Sequence, residues 1–541
     1  MKIFFISLFL VSLSFAQVVY EPLHRDVYSY LSRLSQKGLI EYDDIVRPLT
    51  RKYIANKLLE AENLKDKLTS LEKDELDFFK KEFGRELDAL NDTEFEKSSL
   101  SYLGKDEYNR MRLFSYRDNL FSLNVSPIVG TTFGSKDEKS YRHTWNGIYF
   151  YGNLSWLGFS FDFRDNNEVG ETIDKFKKFT PTTGTHTRFP KANSIEYAEA
   201  KTVLGLDWSW GSFSFGRDFM EWGYGKSGLL VLSQKAPSFP FLRLDIQPVD
   251  WLSFNYFHAF LSSDVVDSQK TYFESLGGRR IIFRDKFLAS HTLTLKPFKG
   301  LNLSFGESVV YSDKLEFSYL FPLMFYRVND HNLSRQDNNA GSNSQFFFNL
   351  SSRNHIPNTH FYGTIFIDEI TISNLFDKQN QRNQFAFSLG TSIVDFPINN
   401  LSLTVEYTKI YPFVYSHYIQ TQTYQHASYN LGHWMGYNAD QIFLSLNYRI
   451  LRGLQTEFYF QHIRKGDEGQ VIQQYTQPQP PFLFGLRNNY SYFGGEIKYE
   501  IFHELFARLK FLSNKISMQQ SDLSFVDKNM NEFYLSLYYG L

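Results

Sequence analysis

Three stretches carry the residue types that could do chemistry. The first, Gly216 to Gly225, sets Arg217, Asp218, Glu221, Trp222 and Tyr224 among glycines. The second, Phe321 to Asn343, holds Tyr326, Arg327, Asp330 and His331. The third, Tyr411 to Asp440, holds Tyr415, His417, Tyr418, His426, His433, Trp434, Tyr437 and Asp440. Rings beside forked polar groups suit carbohydrate, because aromatic faces stack on apolar sugar faces while Arg and Asp take hydroxyls and acidic substituents. The binding candidates are Arg217, Asp218, Trp222, Tyr224, Arg327, His433, Trp434, Tyr437 and Asp440. The competing reading is structural: Gly-flanked Arg and Asp pin loop bases, and Trp and Tyr near strand ends form an interfacial girdle.

The catalytic alternatives find less in the sequence. His417, His426 and His433 share a loop, but no HExxH spacing accompanies them. No Gly-x-Ser-x-Gly elbow occurs, and the chain has no Cys, which removes disulfides and thiolate metal sites. No catalytic residue, metal site or cofactor is expected. A net charge of −2 gives nucleic acid no reason to bind.

Period-2 alternation must position these loops. Leu401, Leu403, Val405 and Tyr407 face one way, and Ser402, Thr404, Glu406 and Thr408 the other. Ile442, Leu444, Leu446 and Tyr448 repeat the pattern, as do Phe533, Leu535 and Leu537. An aromatic share of 18% with negative mean hydropathy suits strands showing rings to lipid and polar groups to a wet lumen. Tight turns fall near Leu157-Gly158, Trp210-Gly211, Asp250-Trp251, Lys299-Gly300, Pro357, Asn399-Asn400, Arg452-Gly453 and His503-Glu504. Those eight turns, with one strand at each end, predict an all-β transmembrane barrel of about 18 antiparallel strands. Loops of a few to nearly thirty residues are expected to alternate strictly with the short turns, outside the cell and in the periplasm respectively.

The N-terminal residues read differently. Lys2, the apolar run Ile3 to Phe15 and Ser14-Phe15-Ala16 form a secretory signal cut after Ala16. Helical periodicity follows: Val27, Tyr30, Leu31 and Leu34 with a stop at Gly38, then a helix after Pro48, then a third opened by Thr69 and Glu72. The predicted layout is signal peptide 1–16, a small α-helical periplasmic bundle 17–100, a linker or first extended segment 101–118, and the barrel 119–541. A cap of three helices under the barrel is expected.

Two resemblances bear on function. His24-x-x-Val27-Tyr28-x-x-Leu31, followed by Arg47-Pro48-Leu49-Thr50-Arg51, resembles the surface-layer-homology type of module, which implies peptidoglycan as a partner of the helices. Gly216-Arg217-Asp218, Trp222-Gly223-x-Gly225, Leu229 to Leu232, Ser233, Ala236-Pro237 and Leu242-x-Leu244 resemble the Wzi-type capsule-assembly outer-membrane family. Val405-Glu406-Tyr407-Thr408, Leu431-Gly432-His433-x-x-Gly436-x-x-Ala439-Asp440 and, more weakly, Ile367-Asp368-Glu369 agree with it. That resemblance implies an 18-stranded barrel with a helical bundle, placed in the outer membrane of a Gram-negative-type bacterium. The implied function is non-enzymatic and lectin-like: binding, attaching or helping to assemble capsular or surface polysaccharide, with outer-membrane lipid around the wall. A substrate-specific porin and an outer-membrane hydrolase are the alternatives.

Overall fold

The computed structural model describes residues 18–91, 98–187, 190–336, 341–377 and 379–540; the expected signal peptide, 1–16, lies outside them. Eighteen antiparallel strands form a closed barrel, running from Phe121–Lys136 to Phe525–Tyr539. Closure pairs these two, in the register Glu532↔Lys136 to Tyr539↔Val129. Closing the sheet removes both edges, so every backbone group of the wall finds a partner across a strand.

Alternation sorts the side chains. On Ala439–Leu451, Ile442, Leu444 and Leu446 are exposed on the outer surface, while Gln441 and Ser445 are buried inside. The same parity puts Val405 outside and Thr404, Glu406 and Thr408 inside on Leu401–Ile410. All eight short connections occur where the turn spacing put them. At Arg452-Gly453 the glycine has φ +79°, a conformation a β-carbon resists. Trp156, Trp210 and Trp251 are exposed at these turns, the placement of an interfacial girdle.

The opposite end carries the long loops, with two exceptions. Strand Phe121–Lys136 turns into Lys139–Leu154 through Asp137-Glu138 alone, both in the left-handed region. The connection at 520–524 is also brief. The short turns therefore alternate with loops of unequal length, brief at the first and last hairpins.

Among the described residues the helical piece has four helices rather than three: α1 Val27–Gln36, α2 Arg51–Glu62, α3 Ser70–Glu82 and α4 Gly84–Leu90. Thr69 and Glu72 make the capping box that starts α3. The chain breaks at Phe83 and resumes as α4. A β-carbon on Gly84 would sit 2.2 Å from the Tyr108 ring, so glycine lets the hairpin Ser99–Lys105/Met111–Arg117 pack there.

Ion pairs fix the helices to the wall at the short-turn end. Arg449 donates to both oxygens of Glu75 (2.7 and 2.8 Å) and to Ser29 (2.8 Å). Arg25 meets Glu504 at 2.8 Å, Lys498 meets Asp26 at 2.8 Å, and Arg33 meets Asp395 and Glu72. Arg51 is buried between Glu21, Glu82 and Glu86 and stacks on the rings of Phe83 and Tyr151. Burial raises the Glu82 carboxyl, but Arg112, His503 and Arg51 outweigh it and hold it well below the usual carboxylate range.

Candidate functional site

The loop after Gly211–Asp218 turns inward. Residues 219–238 enter the lumen, where Glu221–Trp222 pairs antiparallel with Val46–Arg47 from the helical piece. Arg47 and Glu221 form an ion pair at 3.0 Å, and Gly223 N–H donates to Ile45 O at 2.9 Å. A loop from one end thus meets a segment from the other inside the barrel. Trp222, 1% exposed, packs edge-on against Phe257 and Phe347 of the inner wall.

A lumen-facing carboxylate clamps this loop. Glu406 accepts from the N–H groups of Lys226 (2.7 Å) and Ser227 (3.1 Å), from Ser227 Oγ and from Tyr362 Oη (2.8 Å). Glycines make the approach possible: a β-carbon on Gly225 would meet Gly228 O at 2.0 Å, and one on Gly228 would meet His433 Nε2 at 2.4 Å.

The loop 411–438 lies over the first and is stapled to it. Tyr415 Oη donates to Leu230 O (2.7 Å), Tyr424 Oη to Val231 O (2.9 Å), and Ser233 N–H to Leu431 O (2.8 Å). Trp434 Nε1 donates to Ser227 O at 2.8 Å. A second inward carboxylate, Asp368, accepts from Tyr415 N–H at 2.7 Å. His426 Nδ1 accepts from Ser262 N–H at 2.8 Å and His433 Nδ1 from Met435 N–H at 3.3 Å. Burial lowers these imidazoles to about 4 and about 3, so both are neutral acceptors near pH 7.

A third loop segment, 171–187, is tied on through Lys235. Its ammonium donates to the carbonyls of Lys177, Thr180 (2.9 Å) and Thr182 (2.9 Å), and burial pushes it down to about 8. Tyr429 Oη adds bonds to Phe176 O and Thr185 O at 2.7 and 2.8 Å.

These layers leave polar cavities between plug and wall. One, of about 430 Å³, lies between α1, Tyr224 to Lys226 and the wall residues Arg353, His360 and Arg449. Another, about 300 Å³, is lined by Asp218, Asp162 and Lys201.

The nine candidates separate into three groups. Trp222, Tyr224, His433 and Trp434 come together in the plug, all buried, so no ring face is open to a sugar while this packing holds. Asp218 lines the side cavity, and Tyr437 sits at the mouth, donating to Glu468 O at 2.9 Å. Arg217, Arg327 and Asp440 lie on the outer wall. Arg217 shares a strand face with exposed Phe215, and Asp440, bonded by Arg464 and Tyr407, shares one with exposed Ile442.

The outer surface of the loops offers a different set. Tyr418, 61% exposed, meets Tyr475 edge-on at 5.9 Å. Arg382 lies over the Tyr475 ring at 5.3 Å and pairs with Glu369 at 2.7 Å. Three separate loops supply this patch, so no local spacing in the chain betrays it. Glu406 and Asp368 were findable in principle, as acidic residues on the inward face of strands. Among the described residues no group of three His, Asp or Glu could hold a metal ion.

The family model described as capsule assembly protein Wzi matches residues 182–505. Wzi, an outer membrane protein involved in group 1 capsule assembly in Escherichia coli and described as a carbohydrate-binding β-barrel, has a similar fold. Its TM-score is 0.56 at 12% identity, over 97% of this chain and 100% of that one. OprD of Pseudomonas aeruginosa is more distant, with a TM-score of 0.42 and 11% identity over 83% of this chain and 94% of that one. OccK3 of the same organism has a TM-score of 0.41 and 12% identity over 77% and 95%. No curated protein sequence matches the chain.

Proposed function

The chain belongs to the Wzi capsule assembly family, and from that premise we propose that it is a non-enzymatic outer-membrane protein that binds capsular polysaccharide and attaches or helps assemble it at the cell surface. The observation that carries this reading is the stapled plug beneath a patch of Tyr418, Tyr475 and the Arg382–Glu369 pair. Loops 219–238 and 411–438 fill the mouth, while Tyr418 stands exposed above it beside the half-buried Tyr475 and Arg382. Rings that stack on sugar faces, beside a guanidinium and a carboxylate that take hydroxyls, fit a glycan.

In this reading the long loops face the outside of the cell and the helices the periplasm, with lipid around the wall. The exposed Asp66, Lys67, Asp74 and Asp77 of the helical piece then face the peptidoglycan. Membership of a capsule-assembly family also supports binding over catalysis.

The test is retention. Purified protein is passed over immobilised capsular polysaccharide of the source cell, and the gene is deleted in the same strain. Binding together with shedding of capsule into the medium is expected. Unchanged surface capsule and no binding would remove the reading. A channel is the second reading, favoured by the polar cavity of about 430 Å³; steady conductance in a planar bilayer would promote it.

A further inference from the structure

Residues 313–336 leave the top of strand Leu301–Ser312 and fold over the outside of the wall. They form a short turn of helix at Phe317–Leu320 and then α5, Tyr326–Gln336. Their contacts identify the surface beneath them. Leu293, Leu295, Leu303 and Phe305 are exposed on the outer face of two neighbouring strands. Phe287, Ala289, His291, Glu307, Val309 and Tyr311 occupy the same face two to eight residues further along. These six are covered. Glu307 accepts from the N–H groups of Tyr326 (2.9 Å) and Arg327 (2.6 Å), at the start of α5. Tyr326 stacks against His291 at 4.5 Å, and Tyr256 Oη donates to Tyr319 O at 3.1 Å.

The far side of the segment is apolar. Phe317, Phe321, Leu323, Phe325 and Val328 are all at least half exposed, with Leu323 at 84%. Phe325 meets Phe346 of the outer wall at 6.1 Å, so this apolar face continues the band formed by Phe305 and Phe348. Arg327 is half exposed at its border.

We propose that residues 313–336 are an interfacial anchor, seated in the outer leaflet beside the barrel, whose exposed Phe and Leu side chains take lipid acyl chains. Three polar wall residues explain why the barrel carries it. His258, His291 and Glu307 lie on the outward face, where bare contact with hydrocarbon would leave each polar group unsatisfied. The segment supplies Glu307 with two donors and sets the Tyr326 ring against His291, while His258 bonds to Tyr311 of the wall, on which Tyr319 of the segment packs. It then presents to lipid the apolar surface that those positions lack. Continuity with the lipid-facing band commits the surface to lipid rather than to a second protein. The inference rests on the outer-membrane placement and is independent of any glycan.

Because the chain has no Cys, a single spin label can be placed without background. L323C and V328C are labelled and reconstituted in dioleoylphosphatidylcholine vesicles, with L276C on the exposed hairpin loop as the aqueous control. Both anchor positions are expected to be more accessible to oxygen than to a water-soluble nickel chelate, and L276C the reverse. Nickel access at Leu323 equal to the control would overturn the proposal, as would spin–spin broadening from a neighbouring copy. An L323D variant, altering a side chain that packs on little, is expected to shift Val328 towards the nickel-accessible range. An unchanged reading at Val328 would count against an anchor.

Discussion

Glu406 holds Ser227: one carboxylate from the inner wall accepts both the backbone N–H and the hydroxyl of a loop residue 179 positions away in the chain. The same carboxylate takes Lys226 N–H and Tyr362 Oη. A motif on a strand and a motif in a loop are thus two halves of one clamp.

Removing the carboxylate should open the plug. Glu406→Ala leaves two backbone donors and a phenol without their acceptor, at about 1–3 kcal/mol for each group left buried. Conductance events in planar bilayers are expected from E406A and fewer from E406Q, which keeps an acceptor oxygen in place. Silence from both would show that the staples to Leu230 and Val231 suffice alone.

Acid should loosen the same plug through its histidines. An unburied imidazole protonates near 6.5, while His426 and His433 resist to about 4 and about 3. Between those values the open state binds protons that the closed state refuses, so closure weakens as pH falls below 6.5 and is indifferent above it. Each His then disfavours closure by up to about 1.4 kcal/mol per pH unit in that window. Conductance recorded from pH 7 down to 4.5 checks this, and H433N, whose Oδ1 can replace Nδ1 as acceptor for Met435, should flatten the response.

The helical piece should be separable from the wall. Arg449→Ala strands Glu75 in a nearly buried site, at about 3 kcal/mol. Faster hydrogen exchange across α1 and α3, with the barrel strands unchanged, is the expected readout. Acidification acts similarly through Glu82: its depressed carboxyl contributes stability fully above the ordinary value of 4.5 and loses it as pH falls further.

The surface patch should carry glycan affinity without carrying stability. Tyr418→Ala and Arg382→Ala each remove a group at the exposed surface, and a loss of about 1 kcal/mol in polysaccharide binding, roughly fivefold, is expected from each. Trp222→Ala should behave oppositely, costing about 3–5 kcal/mol of plug stability through its cavity. Binding isotherms together with the temperature of barrel unfolding in detergent separate the two effects.

Much of the architecture was legible in the chain. Alternation and tight turns are local properties: a strand buries every second residue, and a two-residue turn needs particular backbone angles. Counting them therefore gave eighteen strands without any tertiary knowledge. The helix starts at Thr50 and Thr69 are equally local, since a side-chain oxygen caps N–H groups two or three residues on. Even the outward placement of Arg217 and Asp440 was available, because each shares parity with exposed Phe215 or Ile442.

Tertiary structure alone decided where the loops go. A Gly- and aromatic-rich loop has the same composition whether it stands in water or folds into a lumen. What selects the second is a partner far away in sequence: Glu406 for Ser227, Val46 for Trp222, Leu230 for Tyr415. The same holds for Glu307, which breaks the apolar face of its strand and is accounted for only by the helix lying over it. The residues that could do chemistry were recognised by type. Whether each is a surface group or a staple depended on contacts that no local spacing encodes.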